Sequence, residues 1–239
     1  HETWRLTASY LVPATGTRFK RTDGTAFKAP TLAQLYENSA WVVGNPDLDP
    51  EKSRGWDAGV EQSLWQERIT IGATWFETRF KDLINTLWNP ETFKYEYENV
   101  DKARTKGLEL TLAARPWDDV SVLAGYTFTD TENRETGDEL LRRPRNKYSL
   151  AIHYRIPVGG EIQFDILHVG KRDDIDSEDW SRIKSLESYT LVNLAAAYDL
   201  SATLRLTGRV ENLFDEDYEE VSGFGTPGIA GYLGARLSF

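Results

Sequence analysis

The stretch IAGYLGARLSF, residues 229–239, decides the fold class of this chain. Apolar or small side chains occupy every second position from Ile229 to Phe239, and residues such as Tyr232 and Arg236 stand between them. A period of two is typical of a β-strand that has one apolar face. The same alternation recurs along the whole sequence, so we expect an all-β chain of antiparallel strands.

About eleven segments show this alternation. They comprise residues 4–10, 19–27, 56–60, 69–75, 108–114, 120–128, 148–156, 162–166, 192–198, 204–210 and 229–239. In the second segment, however, Arg21 and Asp23 fall on the face that should be apolar. This exception allows three interpretations: the register slips, the two charges pair near an interface, or this edge contacts protein.

The connections between the segments alternate between short and long. Short connections are expected at residues 13–16, 65–67, 116–119, 157–160 and 199–202, and long ones at 29–54, 87–99, 131–145, 171–186 and 215–228. Short turns at one end and long loops at the other are typical of outer-membrane barrels. We therefore predict an antiparallel transmembrane β-barrel, although periodicity alone would also fit a soluble β-sandwich.

Composition is compatible with a barrel. The 239 residues are 40% hydrophobic with a mean hydropathy of −0.52, and no run approaches the roughly 18 apolar residues of a membrane helix. A transmembrane strand needs only about 9–11 residues, half of which can be polar. Aromatic residues make up 12% of the chain, which suits the interfacial girdles of a barrel and also a sandwich core.

Charge and residue usage exclude several functions. The net charge of −10 argues against nucleic acid as a partner. The chain has no cysteine, which excludes disulfides and thiolate metal sites. Its three histidines are far apart and form no catalytic or metal-ligand pattern, so we predict no enzyme and no bound cofactor. Outer-membrane phospholipase or protease chemistry is the enzymatic alternative.

Three groups of residues are candidates for function. Polar side chains that interleave with the apolar rows are expected to face a wet lumen: Lys147, His153, Arg205, Arg209, Glu211 and Arg236. Aromatic residues on the long loops could form the wall of a ligand site, or belong to the outer girdle: Trp41, Trp88, Tyr95, Tyr97, Trp180 and Phe224. Acidic residues on one long loop are weak calcium candidates: Asp174, Asp176 and Glu178. A solvated loop, or one bridged to lipopolysaccharide by divalent cations, is the simpler explanation of this last group.

Five segments resemble the C-terminal half of a TonB-dependent outer-membrane receptor. They read GTAFKAPTLAQLY (24–36), GNPDLDPEKS (44–53), NVDKARTKGLE (99–109), LLRRP (140–144) and ENLFDEDY (211–218). The most specific is residues 44–53, and the closest branch is that of the vitamin B12 (cobalamin) receptors. Loop architecture is the simplest role for these segments: their Asn-Pro and Asp-Pro pairs fix turns, and Asn212 and Asp215 can bond backbone groups.

The resemblance implies a 22-stranded barrel filled by an N-terminal plug, with residues 1–239 forming the last eleven or so strands. We expect the plug and the first strands to lie outside this chain. The resemblance also implies energised uptake of a large scarce nutrient, first cobalamin and alternatively a ferric siderophore or haem. A passive pore or structural barrel is the alternative of another class.

The partners that the resemblance implies are outer-membrane lipid, lipopolysaccharide, the nutrient, an inner-membrane energy-coupling protein acting through the plug, and the barrel-assembly machinery. Phe239 would be the assembly signal.

Overall fold

The computed structural model describes residues 2–179 and 182–239, and it is dominated by one long antiparallel sheet. Eleven strands form this sheet in chain order: β1 (Arg5–Val12), β2 (Thr17–Lys28), β4 (Glu51–Leu64), β5 (Ile69–Asn89), β6 (Lys94–Trp117), β7 (Val120–Asn133), β8 (Asn146–Ile156), β9 (Gly160–Val169), β12 (Tyr189–Asp199), β13 (Leu204–Glu211) and β14 (Ala230–Leu237). Each predicted strand segment overlaps one of them, which confirms the all-β prediction.

The sheet is an up-and-down meander. Every strand pairs with the strand before and after it in the main path, and β1 and β14 are its two edges among the described residues. Three short strands lie in the long connections: β3 (Val42–Val43), which pairs with β6 in parallel, and β10 (Arg172–Ile175) and β11 (Ile183–Leu186), which pair with each other.

Directly paired residues of neighbouring strands point to the same side of the sheet. The pairs across the strands therefore show which residues share a face, and one face is apolar and the other polar. One apolar row runs Ile71, Leu112, Ala124, Leu150, Ile166 and Val192 across six strands. A polar row runs Ser121, His153, Gln163, Ala195 and Arg209. We use "apolar face" and "polar face" in this sense below.

The apolar face is open rather than packed. Leu233 is 95% exposed and Leu6 is 68% exposed, and each described strand packs mainly against its neighbours in the sheet. A β-sandwich would cover such residues with a second sheet. The single layer therefore has the organisation of a barrel wall rather than that of a soluble sandwich.

Four of the predicted long loops are partly strand, so the predicted boundaries were wrong there. Residues 131–133 are the end of β7. Residues 87–99 are mostly the paired ends of β5 and β6, residues 51–54 begin β4, and residues 171–186 contain the β10–β11 hairpin. Beyond the apolar band the apolar alternation becomes short and weak, so strand pairing continues with little signal in the sequence.

Gly107 allows β6 and β7 to approach closely. A Cβ atom at Gly107 would lie 2.0 Å from the carbonyl oxygen of Phe128 and 2.7 Å from the Phe76 ring. The contact with backbone oxygen cannot be relieved by a rotamer change, so a side chain at this position would require the two strands to move apart. At Gly125 the nearest atom would be the Ser149 hydroxyl, at 2.9 Å.

One short helix, α1 (Leu32–Tyr36), lies in the connection between β2 and β4. Its N-terminus carries a capping box in which the backbone N–H of Gln34 donates to the Thr31 hydroxyl and the Thr31 N–H donates to the Gln34 side chain. Among residues 2–179 and 182–239, no helix is sufficiently long and apolar to cross a membrane.

Candidate functional site

Several of the predicted aromatic residues meet at the long-loop end of β5 and β6. The Trp88 ring lies 5.2 Å from the Tyr95 ring and 6.3 Å from the Phe93 ring, both in edge contacts. The backbone N–H of Tyr95 donates to the carbonyl of Trp41, at 2.8 Å. We call Trp41, Trp88, Phe93 and Tyr95 the aromatic arm. Phe93, 71% exposed, was missed from the sequence because it lies at the tip of an unrecognised hairpin.

The segment of residues 44–53 fixes the base of the aromatic arm. The Asn45 side chain donates to the carbonyl of Tyr97 at 3.0 Å and accepts from the N–H of Asp47 at 2.9 Å. The N–H of Asp49 donates to the Asn99 side chain at 2.7 Å. These contacts are the loop architecture expected of this segment.

The remaining aromatic candidates are not all in one place. Tyr97 pairs with Thr86 in the same hairpin as the aromatic arm, whereas Phe224 lies on the connection between β13 and β14 and is 70% exposed. Trp180 lies outside the described residues. Ligand contact by any of the six stays a prediction.

Asp174 joins three of the long loops. Its carboxylate is fully buried and accepts from Nε of Arg142 at 2.7 Å, from the N–H of Ser222 at 2.9 Å and from the N–H of Ile175 at 2.8 Å. We call Arg142, Asp174 and Ser222 the loop clasp. Burial alone raises the pKa of Asp174, but the hydrogen bonds from Ser222, Arg142 and Ile175 outweigh it and lower the pKa below its usual range.

The contacts of the loop clasp include one of the calcium candidates, Asp174. Asp174 has a cationic side chain as its partner, and a carboxylate oxygen of Asp176 accepts from the N–H of Glu178 at 3.0 Å. Within the described ranges, no group of three or more His, Cys, Asp or Glu side chains is arranged to hold a metal ion. The structure therefore gives Asp174 a structural role.

Asn212 organises the connection from β13 to β14. Its side chain donates to the carbonyls of Glu216 and Pro227 and accepts from the N–H of Glu216 at 2.8 Å. Asp215 accepts from the N–H of Ile229 at 2.8 Å. Both residues thus bond backbone groups, as expected.

The polar face carries an ionic network near the short turns. Nε2 of His153 lies 3.1 Å from a Glu161 oxygen, and the Arg205 guanidinium bonds both Glu161 and Asp199. Arg209 stacks over the Tyr232 ring at 4.2 Å.

The six residues predicted to face the lumen share this polar face. They are Lys147, His153, Arg205, Arg209, Glu211 and Arg236. That the face lines a lumen stays a prediction, as does the assembly role of Phe239, which lies beyond β14 and is fully exposed.

Arg21 and Asp23 do lie on the apolar face. The pairing of β2 with β1 and with β4 is continuous, so the register does not slip. Arg21 lies 3.9 Å from Asp23, which is 3.5 Å from Arg54, and the Arg21 guanidinium lies over the Trp56 ring. Of the three interpretations, pairing of the charges is the one that the contacts favour.

A single-layered meander with short turns, long loops and an open apolar face defines the class of transmembrane β-barrel chains. The chain belongs to the family of TonB dependent receptor-like β-barrels, whose family model matches residues 1–213. Members of this family are non-enzymatic transport proteins of the outer membrane of Gram-negative bacteria.

Solved receptor structures share the fold. A ferric enterobactin receptor of Pseudomonas aeruginosa, in complex with enterobactin, matches 99% of this chain at 24% identity and a TM-score of 0.82. The ferric-catecholate import receptor of E. coli K12 matches 99% of this chain at 18% identity and a TM-score of 0.77. The ferripyoverdine receptor of P. aeruginosa matches 98% of it at 20% identity and a TM-score of 0.76. The chain spans 40%, 35% and 32% of those three chains, respectively.

Proposed function

We propose that this chain is the C-terminal part of the barrel of a receptor that imports a ferric siderophore with energy supplied through TonB. The aromatic arm carries the proposal. It presents exposed ring faces and edges at the long-loop end of the sheet, where a ligand arriving from outside would first bind. The siderophore, rather than cobalamin, becomes the first candidate because the receptors that the sheet resembles are named for ferric siderophores.

The chemistry of the arm suits such a cargo. Aromatic side chains supply large rigid contact areas at low conformational cost and stack against planar rings. Catecholate chelates of iron(III) expose aromatic rings on their surface. Trp88, which touches both Phe93 and Tyr95, would be the central contact.

The remaining parts of the proposal follow from the family. Energised uptake needs a plug and an inner-membrane energy-coupling protein, and both are proposed partners of the whole receptor. The passive pore is the competing function, because it would need neither partner.

The test is equilibrium binding of ferric enterobactin to the complete receptor that contains this segment, with cyanocobalamin as competitor. We expect binding that cobalamin does not displace. Binding of cobalamin alone would assign the receptor to the cobalamin branch. Binding of neither ligand would leave the siderophore proposal without support.

A matched pair of variants tests the arm itself. Trp88→Ala removes the central ring of the arm, whereas Trp65→Ala removes a similarly exposed tryptophan at a short turn, at the other end of the sheet. Loss of a stacked aromatic contact of about 0.5–1.5 kcal/mol predicts a roughly 2- to 13-fold weaker affinity for Trp88→Ala. Trp65→Ala should bind as the native receptor does, and equal effects of the two substitutions would contradict the role of the arm.

A further inference from the structure

The polar face of the sheet has two sectors that differ in the size and charge of their side chains. From β5 to β7 most of the side chains are small, as in the directly paired row of Gly72, Thr111 and Gly125. From β8 to β14, the half nearer the short turns carries long charged side chains instead. Among these are Arg155, Glu161, Asp199, Arg205, Arg209 and Arg236. We call the two parts the small-residue sector and the charged sector.

The charged sector contains a recess of about 420 Å³. Ala195 and Ala197 form part of its lining, and their short side chains leave it unfilled. His153, Arg209 and Tyr232 also line it. The Arg209 guanidinium lies 4.2 Å from the centre of the Tyr232 ring, and 47% of Tyr232 remains exposed. This cavity, which we call the wall recess, therefore presents an aromatic ring and a cation side by side.

The cationic groups beside the wall recess are not all paired. Arg155 lies opposite Glu161 across β8 and β9, and Arg236 lies opposite Arg205 across β13 and β14. However, Arg205 itself bonds both Glu161 and Asp199. In residues 2–179 and 182–239, no carboxylate lies within 4 Å of the Arg155 or Arg236 guanidinium, so both groups remain available to water or to an anion.

A smaller cavity continues the depression towards the short turns. It measures about 160 Å³ and is lined by Asp199, Arg205 and Arg236, one row nearer the short turns than Thr207. The aromatic arm lies at the opposite end of the sheet. A chelate that enters past the arm and leaves past the short turns would therefore meet the wall recess on its way out.

A plug that fills the barrel must pack against part of this wall. The small-residue sector suits close packing, because glycine and other small residues let a second backbone approach the sheet. The charged sector does not, because burying an arginine without an opposite charge is costly. We therefore expect water, rather than the plug, to fill the gap along the charged sector.

We propose that the wall recess is the site on the barrel wall at which the anionic ferric chelate passes the plug. The inference rests on the proposed function, since it takes the cargo to be a negatively charged chelate that carries aromatic rings. Tyr232 offers its ring for stacking, and Arg209 and Arg155 supply positive charge. Positive charge along one wall also concentrates an anion there. Thr111, in the small-residue sector, would instead be covered by the plug.

The test uses cells that carry the complete receptor with Thr207→Cys, after removal of any other cysteine. Thr207 lines the wall recess and is exposed in the sheet. A bulky biotin-linked methanethiosulfonate should react with this variant, leave the surface binding of ferric enterobactin unchanged and stop most of its uptake. A reducing agent that removes the adduct should restore uptake.

Thr111→Cys is the matched control, because it makes the same change at an exposed position of the same face. We expect it to react far more slowly, since the plug covers it. An unreactive Thr207→Cys receptor, uptake that persists after its modification, or equal reactivity and block at the two positions would each overturn the proposal. If Thr207→Cys does not fold, Ala197→Cys, directly opposite on β12, takes its place.

The charge of the adduct tests the chemistry of the cargo. Two small methanethiosulfonates of similar size attach either a sulfonate or a trimethylammonium group to the Thr207→Cys receptor. Because the cargo is an anion, the sulfonate adduct should slow uptake roughly tenfold more than the ammonium adduct. Equal slowing by the two adducts would overturn the wall recess as a path for an anion.

A failure of the proposed function gives a different result. In that case the unmodified native receptor neither binds nor takes up ferric enterobactin, and the role of the wall recess falls with it. If the native receptor imports the chelate but modification of Thr207→Cys has no effect, the proposed function stands and the wall recess alone is refuted.

Discussion

The carboxylate of Asp174 accepts from Nε of Arg142 at 2.7 Å while being fully buried. This pair joins the β7–β8 connection to the β9–β12 connection, and the N–H of Ser222 adds the connection between β13 and β14. Three loops that are far apart in sequence are thereby held by one side chain. The loop clasp therefore orders the surface at this end of the barrel wall.

Asp174→Asn should open the three loops. The amide keeps the shape but loses the charge and one acceptor oxygen, and loss of a buried hydrogen-bond partner costs about 1–3 kcal/mol. Hydrogen exchange in the complete receptor should then accelerate about 5- to 150-fold at the backbone amides of Arg142 and Ser222. Asp173→Asn, at the exposed neighbouring position, is the control. Unchanged exchange in Asp174→Asn would contradict the clasp.

The clasp should also fail in acid. The pKa of Asp174 is lowered in the folded chain by Ser222, Arg142 and Ile175, so its contribution is complete above the ordinary aspartate pKa of about 3.9 and is lost as the pH falls through the lowered value. The backbone amide of Ser222 should be protected from hydrogen exchange at pH 6. Below about pH 4 its exchange rate, corrected for the intrinsic rate, should rise. The Asp174→Asn variant should lack this step.

Gly107→Ala should impair folding of the barrel. The added methyl would lie 2.0 Å from the Phe128 carbonyl oxygen, and overpacking of this kind costs about 1–3 kcal/mol. Gly231→Ala, where nothing lies within 4 Å of the added methyl, is the control. Urea titration of the folded fraction should show a lower midpoint for Gly107→Ala only, and equal midpoints would show that the strands can separate without cost.

Asn212→Ala should destabilise the connection from β13 to β14. The residue has a φ of +49° and three side-chain hydrogen bonds to backbone groups, so alanine loses the bonds and keeps a strained backbone. Asn212→Gly loses the same bonds but relieves the strain. We expect proteolysis within residues 213–228 to increase in the order native, glycine, alanine. Equal cleavage of the two variants would show that backbone strain contributes nothing.

Much of the fold was predictable because one face of each strand is apolar. The alternation in residues 108–114 and 148–156 placed β6 and β8 correctly, and it also placed His153 and Lys147 together on the other face. The ends of β5 and β6 were missed because Leu87 to Asn99 lie beyond the apolar band. The one alternation there, Tyr95 and Tyr97 between Lys94, Glu96 and Glu98, is short but was a strand signal.

The candidate sites were predictable only as residue types. The aromatic arm depends on a hairpin whose tip, Phe93, gave no signal, and the loop clasp depends on Ser222 meeting Asp174 across the sheet. Contacts between distant loops follow from strand pairing and not from local sequence. The charged exception of Arg21 and Asp23 was visible in the sequence, but their contacts with Trp56 and Arg54 follow only from strand pairing.

We infer that the apolar face of the sheet meets lipid. Because the chain has no cysteine, single spin labels can be placed at Leu150, Ala151 and Ile152 of β8 in the complete receptor, reconstituted in bilayers after removal of any other cysteines. If the apolar face meets lipid, labels at Leu150 and Ile152 will collide with dissolved oxygen far more than with a water-soluble nickel chelate, and the label at Ala151 will not. Equal oxygen preference at all three positions, or a reversed pattern, would contradict it.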